Sequence, residues 1–279
     1  MDHIRPLMRH KLNLNFMIIK KQRNFKKPLN SSDLGYFLAG LIDADGYLRK
    51  KELVITLNKT DISLGLWLKK IFGGRLRKYK SRRAFNYELY TSLELIRVAN
   101  LIRHKLRYAK RVKQYNTALA PSLGCALSKI NNEPINTNYW FCGFTFGDGS
   151  FQIKVTKRGK TNKLRAQISL QFSLTYDALV LLEQIKSHFG GSIGYRGKSN
   201  TVYYGSGSVI NASKIIDYFE SYPMIFRQRR LFELFKCAYN ILRTKNHLNS
   251  TGIKQFLNLR KSASVLRQNS ARIKNLSLN

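Results

Sequence analysis

The feature that most constrains the fold of this chain is an internal repeat. Residues 35–46 read GYFLAGLIDADG, and residues 138–149 read NYWFCGFTFGDG. An offset of 103 positions aligns Asp45 with Asp148, and it also aligns a tyrosine and two glycines of the two segments. Farther along, KKIFGG at 69–74 matches KSHFGG at 186–191 with an offset of 117, so the second copy carries about 14 more residues between these landmarks. The repeat predicts two related halves.

Each copy shows the same succession of patterns. A helical stretch ends in Asp-Gly, strand-like segments follow, and a second helix ends in Phe-Gly-Gly before more strand-like sequence and a further helix. In the second copy Gln152 and Lys154 alternate with Phe151, Ile153 and Val155. A period of two predicts a sheet with one face on the core and the other in solvent.

The repeat and the composition between its copies predict the domain boundaries. We expect a basic N-terminal arm over 1–30, a first half over 31–115 and a second half over 137–245. The segment 116–136 contains two of the five prolines together with Asn and Ser, which is typical of a linker. Residues 246–279 form a basic, polar tail that we expect to pack on the surface or to contact DNA.

The charge of the chain restricts its partners. It contains 50 Lys and Arg against 15 Asp and Glu, a formal net charge of +35. A compact chain with this charge repels itself unless an anion neutralises it, which favours nucleic acid over a membrane surface. No apolar run approaches the roughly 20 residues that span a bilayer. The three cysteines and five histidines form no CxxC or HExxH pattern, so zinc chemistry is disfavoured.

The first motif is predicted to be a helix over 34–46, with Ser31, Ser32 or Asp33 as its N-cap. Small residues four positions apart share one helix face, and both copies have them, at positions 40 and 44 and at positions 143 and 147. Such a face lets two helix backbones approach closely. If the two motif helices pack along these faces, their C-terminal ends meet.

That packing would bring Asp45 and Asp148 together. Two neighbouring carboxylates require a positive charge between them, and an oxygen-rich site with waters suits Mg²⁺. A metal ion held in this way can activate water for the displacement of a phosphodiester. A single Asp-Gly is a common turn, but two at equivalent ends of repeated helices in a strongly basic chain indicate a metal-dependent nuclease.

The string LAGLIDADG at 38–46 is the signature of the LAGLIDADG homing endonucleases, and WFCGFTFGDGSF at 140–151 resembles the second motif of their single-chain members. The resemblance covers residues 31–245. It implies an α+β fold of two pseudo-symmetric αββαββα halves, with the motif helices at their interface and two saddle-shaped antiparallel sheets straddling DNA. It also implies a monomeric, intron-encoded protein of an organelle, the mitochondrion or chloroplast. Such a protein cuts both strands of a long target site across the minor groove and leaves short 3′ overhangs.

The resemblance also assigns roles to individual residues. Asp45 and Asp148 match the metal-binding acids of the family, and the carbonyl groups of Ala44 and Gly147 match its backbone ligands. The expected cofactor is Mg²⁺, for which Mn²⁺ or Ca²⁺ can substitute in binding.

A basic residue near the scissile phosphate is a further expectation from the family. Lys110 and Arg227 are the candidates, although the alignment of the two copies slips by one residue there, and ordinary phosphate contacts are an equal alternative. Asp43 has no acidic counterpart, because Phe146 occupies the equivalent position. We therefore expect Asp43 to be a structural residue at the helix end.

The exposed sheet faces are predicted to contact DNA, because their side chains can donate to and accept from base edges. The first half has little room after Gly46, so its first hairpin should be very short and base contacts should shift to a basic segment starting at Arg75. The expected DNA-binding residues are Arg49, Lys51, Thr56, Asn58, Arg75, Arg77, Lys80, Arg82, Ser150, Gln152, Lys154, Arg165, Gln167, Ser169, Gln171, Ser173, Arg196 and Lys198.

Two other functions use the same scaffold. A maturase would bind its host intron RNA and assist splicing, with weak or absent DNA cleavage. A DNA-binding regulator would keep the fold without chemistry. The retention of both acids favours the endonuclease, whose partner is a double-stranded DNA target site, with host intron RNA as a second partner.

Overall fold

The computed structural model describes residues 30–78, 83–157 and 164–268. Residues 1–29 of the predicted basic arm, residues 269–279 of the predicted tail, and the predicted DNA-binding residues Lys80 and Arg82 lie outside the described residues. The side chain of Lys198 lies outside them as well.

The first half alternates helices with pairs of strands. The elements are α1 (Ser31–Asp45), β1 (Gly46–Arg49), β2 (Glu52–Asn58), α2 (Ile62–Phe72), β3 (Arg75–Lys78), β4 (Ala84–Leu89), α3 (Ser92–Ile102) and α4 (Ala109–Gln114). The strands form one antiparallel sheet in the order β1-β2-β4-β3.

The second half repeats this order. A π-helical turn, Tyr115–Leu119, and a short helix α5 (Ala120–Leu123) lead away from the first half. The elements that follow are α6 (Trp140–Asp148), β5 (Ser150–Lys157), β6 (Leu164–Thr175), α7 (Leu179–Phe189), β7 (Ser192–Arg196), β8 (Thr201–Gly205), α8 (Val209–Ser221), α9 (Phe226–Arg243) and α10 (Ser250–Gln268). The strands of the second half form a sheet in the matching order β5-β6-β8-β7.

The predicted α+β class with two antiparallel sheets is therefore confirmed. The extra length of the second copy lies in its first hairpin. Lys59 follows Gly46 by 13 positions, whereas Tyr176 follows Gly149 by 27, which accounts for the offset difference of 14. The β1–β2 hairpin is correspondingly short, because its strands are joined by Lys50 and Lys51 alone.

Both Phe-Gly-Gly segments end helices, as predicted. Gly73 and Gly190 follow α2 and α7 with φ angles of 82° and 73°, and their backbone N–H groups donate to the carbonyls of Lys69 and Lys186. Glycine adopts this left-handed conformation without steric cost, so it ends the helix and redirects the chain into the next strand.

The N-cap of α1 differs from the sequence prediction. The helix begins at Ser31, and the cap is Asn30, whose side-chain oxygen accepts a 2.8 Å hydrogen bond from the backbone N–H of Asp33. Asn, Ser and Asp are comparable caps, so local sequence did not distinguish position 30 from its neighbours.

The predicted linker starts inside helical structure. Leu119 and Ala120 are buried, and the side chain of Asn116 exchanges hydrogen bonds with the backbone of Ser128. The segment packs on the first half as it crosses to the second, because Ser128 Oγ accepts from the backbone N–H of His104 and Asn131 Nδ2 donates to the carbonyl of His104. Beyond the second half, α10 contacts α9 and β5 and buries Phe256 and Ala263. Among the described residues, no helix combines the length and apolar character needed to cross a membrane.

Candidate active site

The contact between α1 and α6 depends on one glycine from each helix. A Cβ atom added to Gly40 would lie 2.7 Å from the backbone nitrogen of Phe144, and one added to Gly143 would lie 2.9 Å from that of Leu41. Each would lie closer still to a carbonyl oxygen of the facing helix. Only glycine permits this backbone contact, so the predicted packing of the two motif helices is present and is reciprocal.

The C-terminal ends of the two helices meet as a result. A Cβ atom added to Gly147 would lie 2.6 Å from the Cβ of Ala44 and 2.7 Å from Oδ2 of Asp45. The negative charge of Asp148 acts on Asp45. The structure therefore brings together Asp45, Asp148 and the two residues that precede them.

The environment of this pair disfavours negative charge. Burial, with added repulsion from Asp148 and Asp61 and a smaller opposing effect of Arg111, raises the pKa of Asp45 to about 7. Burial raises the pKa of Asp148 to about 6, again opposed by Arg111. Two ionised carboxylates in one desolvated site destabilise the folded protein unless a cation compensates their charge.

The donor set fits a divalent cation. No described side chain or backbone group donates a hydrogen bond to Asp45 or Asp148, so their oxygens are free to coordinate. The carbonyls of Ala44 and Gly147 belong to the last turns of their helices, where backbone oxygens lack helical partners. Carboxylate and carbonyl oxygens are the ligands that Mg²⁺ and Ca²⁺ prefer. The described residues contain no cluster of three or more His, Cys, Asp or Glu side chains able to hold a metal ion.

Asp43 has a different environment from Asp45, although it lies only two residues away. Its Oδ2 accepts a 2.8 Å hydrogen bond from the indole Nε1 of Trp140 and a 2.7 Å bond from the backbone N–H of Arg107. Burial raises the pKa of Asp43 to about 7. Asp43 thus fastens the first half to the second across the helix pair.

Two clefts of similar size flank the paired acids, and each is lined by both halves. The cleft on one side has a volume of about 250 Å³ and the other about 230 Å³. We call the first the Asp45 cleft, lined by Asp45, Asn58, Asp61, Ser150, Arg227 and Arg267 among others. The second is the Asp148 cleft, lined by Ala44, Lys110, Arg111, Asp148, Ser173 and Thr175 among others.

The two basic candidates occupy equivalent positions in these clefts. Lys110 is the second residue of α4 and Arg227 is the second residue of α9, so the one-residue slip of the sequence alignment disappears. Each forms an ion pair with the opposite half. Lys110 lies 3.6 Å from a carboxylate oxygen of Asp177, and Arg227 binds Asp61 through two hydrogen bonds of 2.7 and 2.8 Å.

Sequence reasoning missed the residues that follow these two. Arg111 Nε donates to the carbonyl of Ile42 at 3.1 Å, and Gln228 Nε2 donates to the carbonyl of Phe146 at 3.1 Å. Both side chains therefore donate to backbone carbonyls in the last turns of the motif helices. Their equivalent places directly after the two basic candidates were the available signal. Asp61, Asp177 and Arg267 carried no such signal, because their partners lie more than 60 residues away.

The outer face of the first sheet carries the predicted side chains Arg49, Thr56, Asn58, Arg75 and Arg77. Glu88 organises part of it. Its carboxylate, which is only 2% exposed, accepts one 2.9 Å contact from Nε of Arg75 and another from Nε of Arg77. Both guanidinium groups are thereby held on the open face. Lys51 lies in the β1–β2 turn, where its backbone N–H donates to Ser122 Oγ.

The outer face of the second sheet carries the predicted residues of β5, β6 and β7. The β5–β6 register pairs Ser150 with Gln171, Gln152 with Ser169, Lys154 with Gln167 and Thr156 with Arg165, so all of these side chains share one face. Ser173 and Arg196 are exposed on the same sheet.

Ser169 is the exception. It is only 8% exposed, and its hydroxyl donates to the carbonyl of Leu170. The hydroxyl of Ser169 lies beside Gly205 of β8, so little of this side chain is exposed for the predicted contact with DNA.

These features define a pseudo-symmetric protein with one paired-acid site between two polar sheets, and the comparisons with known proteins agree. A family model described as LAGLIDADG endonuclease matches residues 141–239. The cox1 intron-2 37.2 kDa protein of Schizosaccharomyces pombe is 35% identical over 237 residues, which cover 82% of this chain and 72% of that protein. The intron-encoded RNA maturase bI4 of Saccharomyces cerevisiae is 28% identical over 200 residues, which cover 68% of this chain and 29% of the maturase.

Solved structures share the fold. The LAGLIDADG homing endonuclease I-SmaMI bound to cleaved DNA matches with a TM-score of 0.64 at 21% identity, covering 86% of this chain and 98% of that one. The same protein has been solved on an uncleaved DNA target in the presence of calcium ions, at 22% identity. The chain described here belongs to the LAGLIDADG endonuclease family, and it carries both motifs in one polypeptide.

Proposed function

We propose that this chain is a site-specific double-strand DNA endonuclease, a homing endonuclease that hydrolyses phosphodiesters across the minor groove with Mg²⁺ and leaves short 3′ overhangs. The observation that carries the proposal is the meeting of Asp45 and Asp148 at the ends of two packed helices, where no described protein group donates to either carboxylate. Membership of the LAGLIDADG endonuclease family supports it.

The chain's own residues would divide the work as follows. Asp45 and Asp148, with the carbonyls of Ala44 and Gly147, would hold divalent metal between the two clefts. A metal ion bound there supplies charge stabilisation at the scissile phosphate and lowers the pKa of the attacking water. No covalent protein nucleophile is required, because positioning and charge stabilisation are sufficient for phosphoryl transfer.

Lys110 and Arg227 would approach the phosphates from opposite sides, one in each cleft. Each is compensated by a carboxylate in the free protein. On binding, the DNA backbone would compete with Asp177 and Asp61 for these cations, since charge-assisted hydrogen bonds to phosphate are comparable in strength. The ion pairs would then hold the cations near their working positions before DNA arrives.

The two outer sheet faces would supply affinity and sequence recognition. A formal charge of +35 gives a large counterion-release term, so affinity should fall steeply with salt. The exposed Arg, Lys, Gln, Ser and Thr side chains of β5, β6 and β3 suit base edges and backbone phosphates in the major groove. We further propose that one chain acts as a monomer, because its two halves replace the subunits of a symmetric dimer.

A maturase is the second candidate function. The relative bI4 of Saccharomyces cerevisiae is an intron-encoded RNA maturase, and this chain matches 29% of its length. An intron-encoded protein of an organelle, the origin that we propose here, could serve both functions, with host intron RNA as the second partner.

The test starts from a duplex that the protein itself selects. Purified protein is incubated in Ca²⁺ with a randomised library of DNA duplexes, the bound duplexes are recovered, and the selected duplex is then incubated with protein in Mg²⁺. The proposal predicts cleavage of both strands with a short 3′ overhang in Mg²⁺, and binding without cleavage in Ca²⁺.

Two outcomes would favour the alternatives. A protein that leaves the selected duplex intact in Mg²⁺ but accelerates splicing of its host intron RNA is a maturase. A protein that binds the duplex and does neither is a regulator. Light scattering during the same experiment should give the mass of one chain, 32.3 kDa.

A further inference from the structure

The two clefts beside the paired acids are equivalent in position but not in construction. In the Asp148 cleft the ammonium group of Lys110 is weakly held, because the side chains of Lys110 and Asp177 are 53% and 48% exposed and their charged atoms lie 3.6 Å apart. In the Asp45 cleft the guanidinium group of Arg227 is firmly held, because the side chains of Arg227 and Asp61 are 19% and 5% exposed and form a bidentate pair. A bidentate pair with little solvent exposure is held rigidly, so Arg227 is less free than Lys110 to turn toward a ligand.

A second arginine enters the Asp45 cleft from outside the repeated halves. Arg267 lies near the end of α10, beyond residue 239, where the family match ends. It follows Phe256 and Ala263 at helical spacing, so it belongs to the face of α10 that packs on the molecule. Its guanidinium donates to the backbone carbonyl of Phe151 on β5 and lines the cleft together with Asp45 and Arg227.

The charges of this cleft point to an anion. Burial and the nearby positive charge of Arg227 both lower the pKa of Arg267. Two guanidinium groups are therefore brought together in a partly desolvated space, although Asp61 compensates only one of them and Asp45 is committed to the paired-acid site. The repulsion between the two guanidinium groups destabilises the protein, and a bound phosphate would compensate both positive charges.

We propose that Arg267 binds the scissile phosphate that enters the Asp45 cleft, so that helix α10 completes one of the two cleavage sites and the two DNA strands are cut by unequal machinery. The proposal rests on the endonuclease function given above. It assigns a role to a helix that lies outside both repeated halves, and it gives the Asp45 cleft a cation that is not already engaged by a carboxylate of the other half.

The first test measures the two strands separately. The duplex selected in Ca²⁺ is labelled differently on each strand, and single-turnover cleavage in Mg²⁺ is followed for the wild type, Arg267→Gln, Arg267→Lys and Arg260→Gln. Arg260 is exposed on the same helix, so its variant removes the same charge away from the cleft. Arg267→Gln should slow cleavage of one strand by about tenfold or more and the other by less than about twofold. Arg267→Lys should recover part of the loss, and Arg260→Gln should change both strands equally and slightly.

The second test measures binding without cleavage. Duplexes that carry one neutral methylphosphonate at either scissile position are bound in Ca²⁺ by the wild type and by Arg267→Gln. In the wild type, one of the two substitutions should weaken binding more than the other. In Arg267→Gln that excess should disappear, because the variant and the neutral phosphate remove the same interaction.

The outcomes separate this inference from the function on which it rests. Equal slowing of both strands, unchanged cleavage, or additive effects of the variant and the methylphosphonate would each overturn the role of Arg267 while leaving the endonuclease in place. A wild-type protein that selects no duplex, or cuts neither strand, would remove the endonuclease function and the inference together. The melting temperatures of Arg267→Gln and Arg267→Lys are compared as well. If Arg267→Gln melts well below Arg267→Lys and the methylphosphonate effects are additive, Arg267 serves the folding of α10 and does not bind the phosphate.

Discussion

At the scale of single residues, the protein places three aspartate side chains in sites where burial disfavours their ionised form. Asp45 and Asp148 lie at the ends of two buried helices, and the pKa of each is raised, to about 7 and about 6. The pKa of Asp43 is raised to about 7 as well, but Asp43 accepts two hydrogen bonds, one from each half of the protein. Asp43 and Asp45 differ in their partners, because Oδ2 of Asp43 accepts two hydrogen bonds from the protein, whereas no described group donates to the carboxylate of Asp45.

The unsatisfied acids should lower the stability of the metal-free protein. With a chelator at pH 8, Asp45→Asn and Asp148→Asn should each raise the free energy of unfolding by roughly 1 to 3 kcal/mol, because an amide avoids the burial of a charge. Chemical denaturation measures this, with Asp217→Asn, an exposed carboxylate on α8, as the control that should change little. If the wild type and the three variants are equally stable at pH 8, the buried charges of Asp45 and Asp148 do not destabilise the protein.

The raised pKa values of the buried aspartates set the sign of the pH dependence of stability. An aspartate whose folded-state pKa is raised binds its proton more tightly in the folded protein than in the unfolded chain, so stability is highest below about pH 4 for this contribution. It is lost as the pH rises toward the folded-state values of about 6 to 7. The stabilising effect of either Asn substitution should therefore vanish near pH 4.

At the scale of elements, the central structure is the pair of helices α1 and α6. Gly40 and Gly143 each receive the backbone of the facing helix, and the carboxyl ends meet as a consequence. The spacing of small residues in the repeat was sufficient to predict this contact. The bond from Trp140 to Asp43 was not predictable, because it joins residues 97 positions apart and neither residue type implies the other.

The helix pair should tolerate no added methyl group at its crossing. Gly40→Ala should lower the free energy of unfolding by about 1 to 3 kcal/mol or more, because the backbones must separate to admit the Cβ atom. The matched control is Gly197→Ala, since a Cβ at Gly197 meets no atom within 4 Å. Denaturant titration of both variants measures the difference. Equal midpoints for the two would contradict the close approach.

At the scale of the whole molecule, the sequence predicted the two halves, the sheet class and the meeting of the acids, because each leaves a periodic or repeated trace along the chain. It predicted only part of what breaks the symmetry. The 14 additional residues and the short first hairpin of the first half were visible in the sequence, and the structure places the additional residues in the β5–β6 hairpin. The contact of Arg267 with Phe151 spans 116 positions and depends on how α10 docks.

The domain boundaries stay predictions in one respect. Residues 116–136 connect the halves, but their first part continues a helix and is packed against the first half. A composition of Pro, Asn and Ser indicated a connection between the halves and could not show where packing stops. The basic tail was expected on the surface or at the DNA, and α10 brings one of its arginines into the Asp45 cleft.

The most direct test of the paired-acid site compares Asp45→Asn, Asp148→Asn and Asp43→Asn on the selected duplex. Asp43→Asn is the matched control, because its amide oxygen can still accept from Trp140 and Arg107. Cleavage in Mg²⁺ and binding in Ca²⁺ are measured for each. We expect either variant of the paired acids to lose double-strand cleavage, by at least about a hundredfold, and to keep specific binding, while Asp43→Asn still cuts both strands. Double-strand cleavage at the wild-type rate by Asp45→Asn or Asp148→Asn would contradict this expectation.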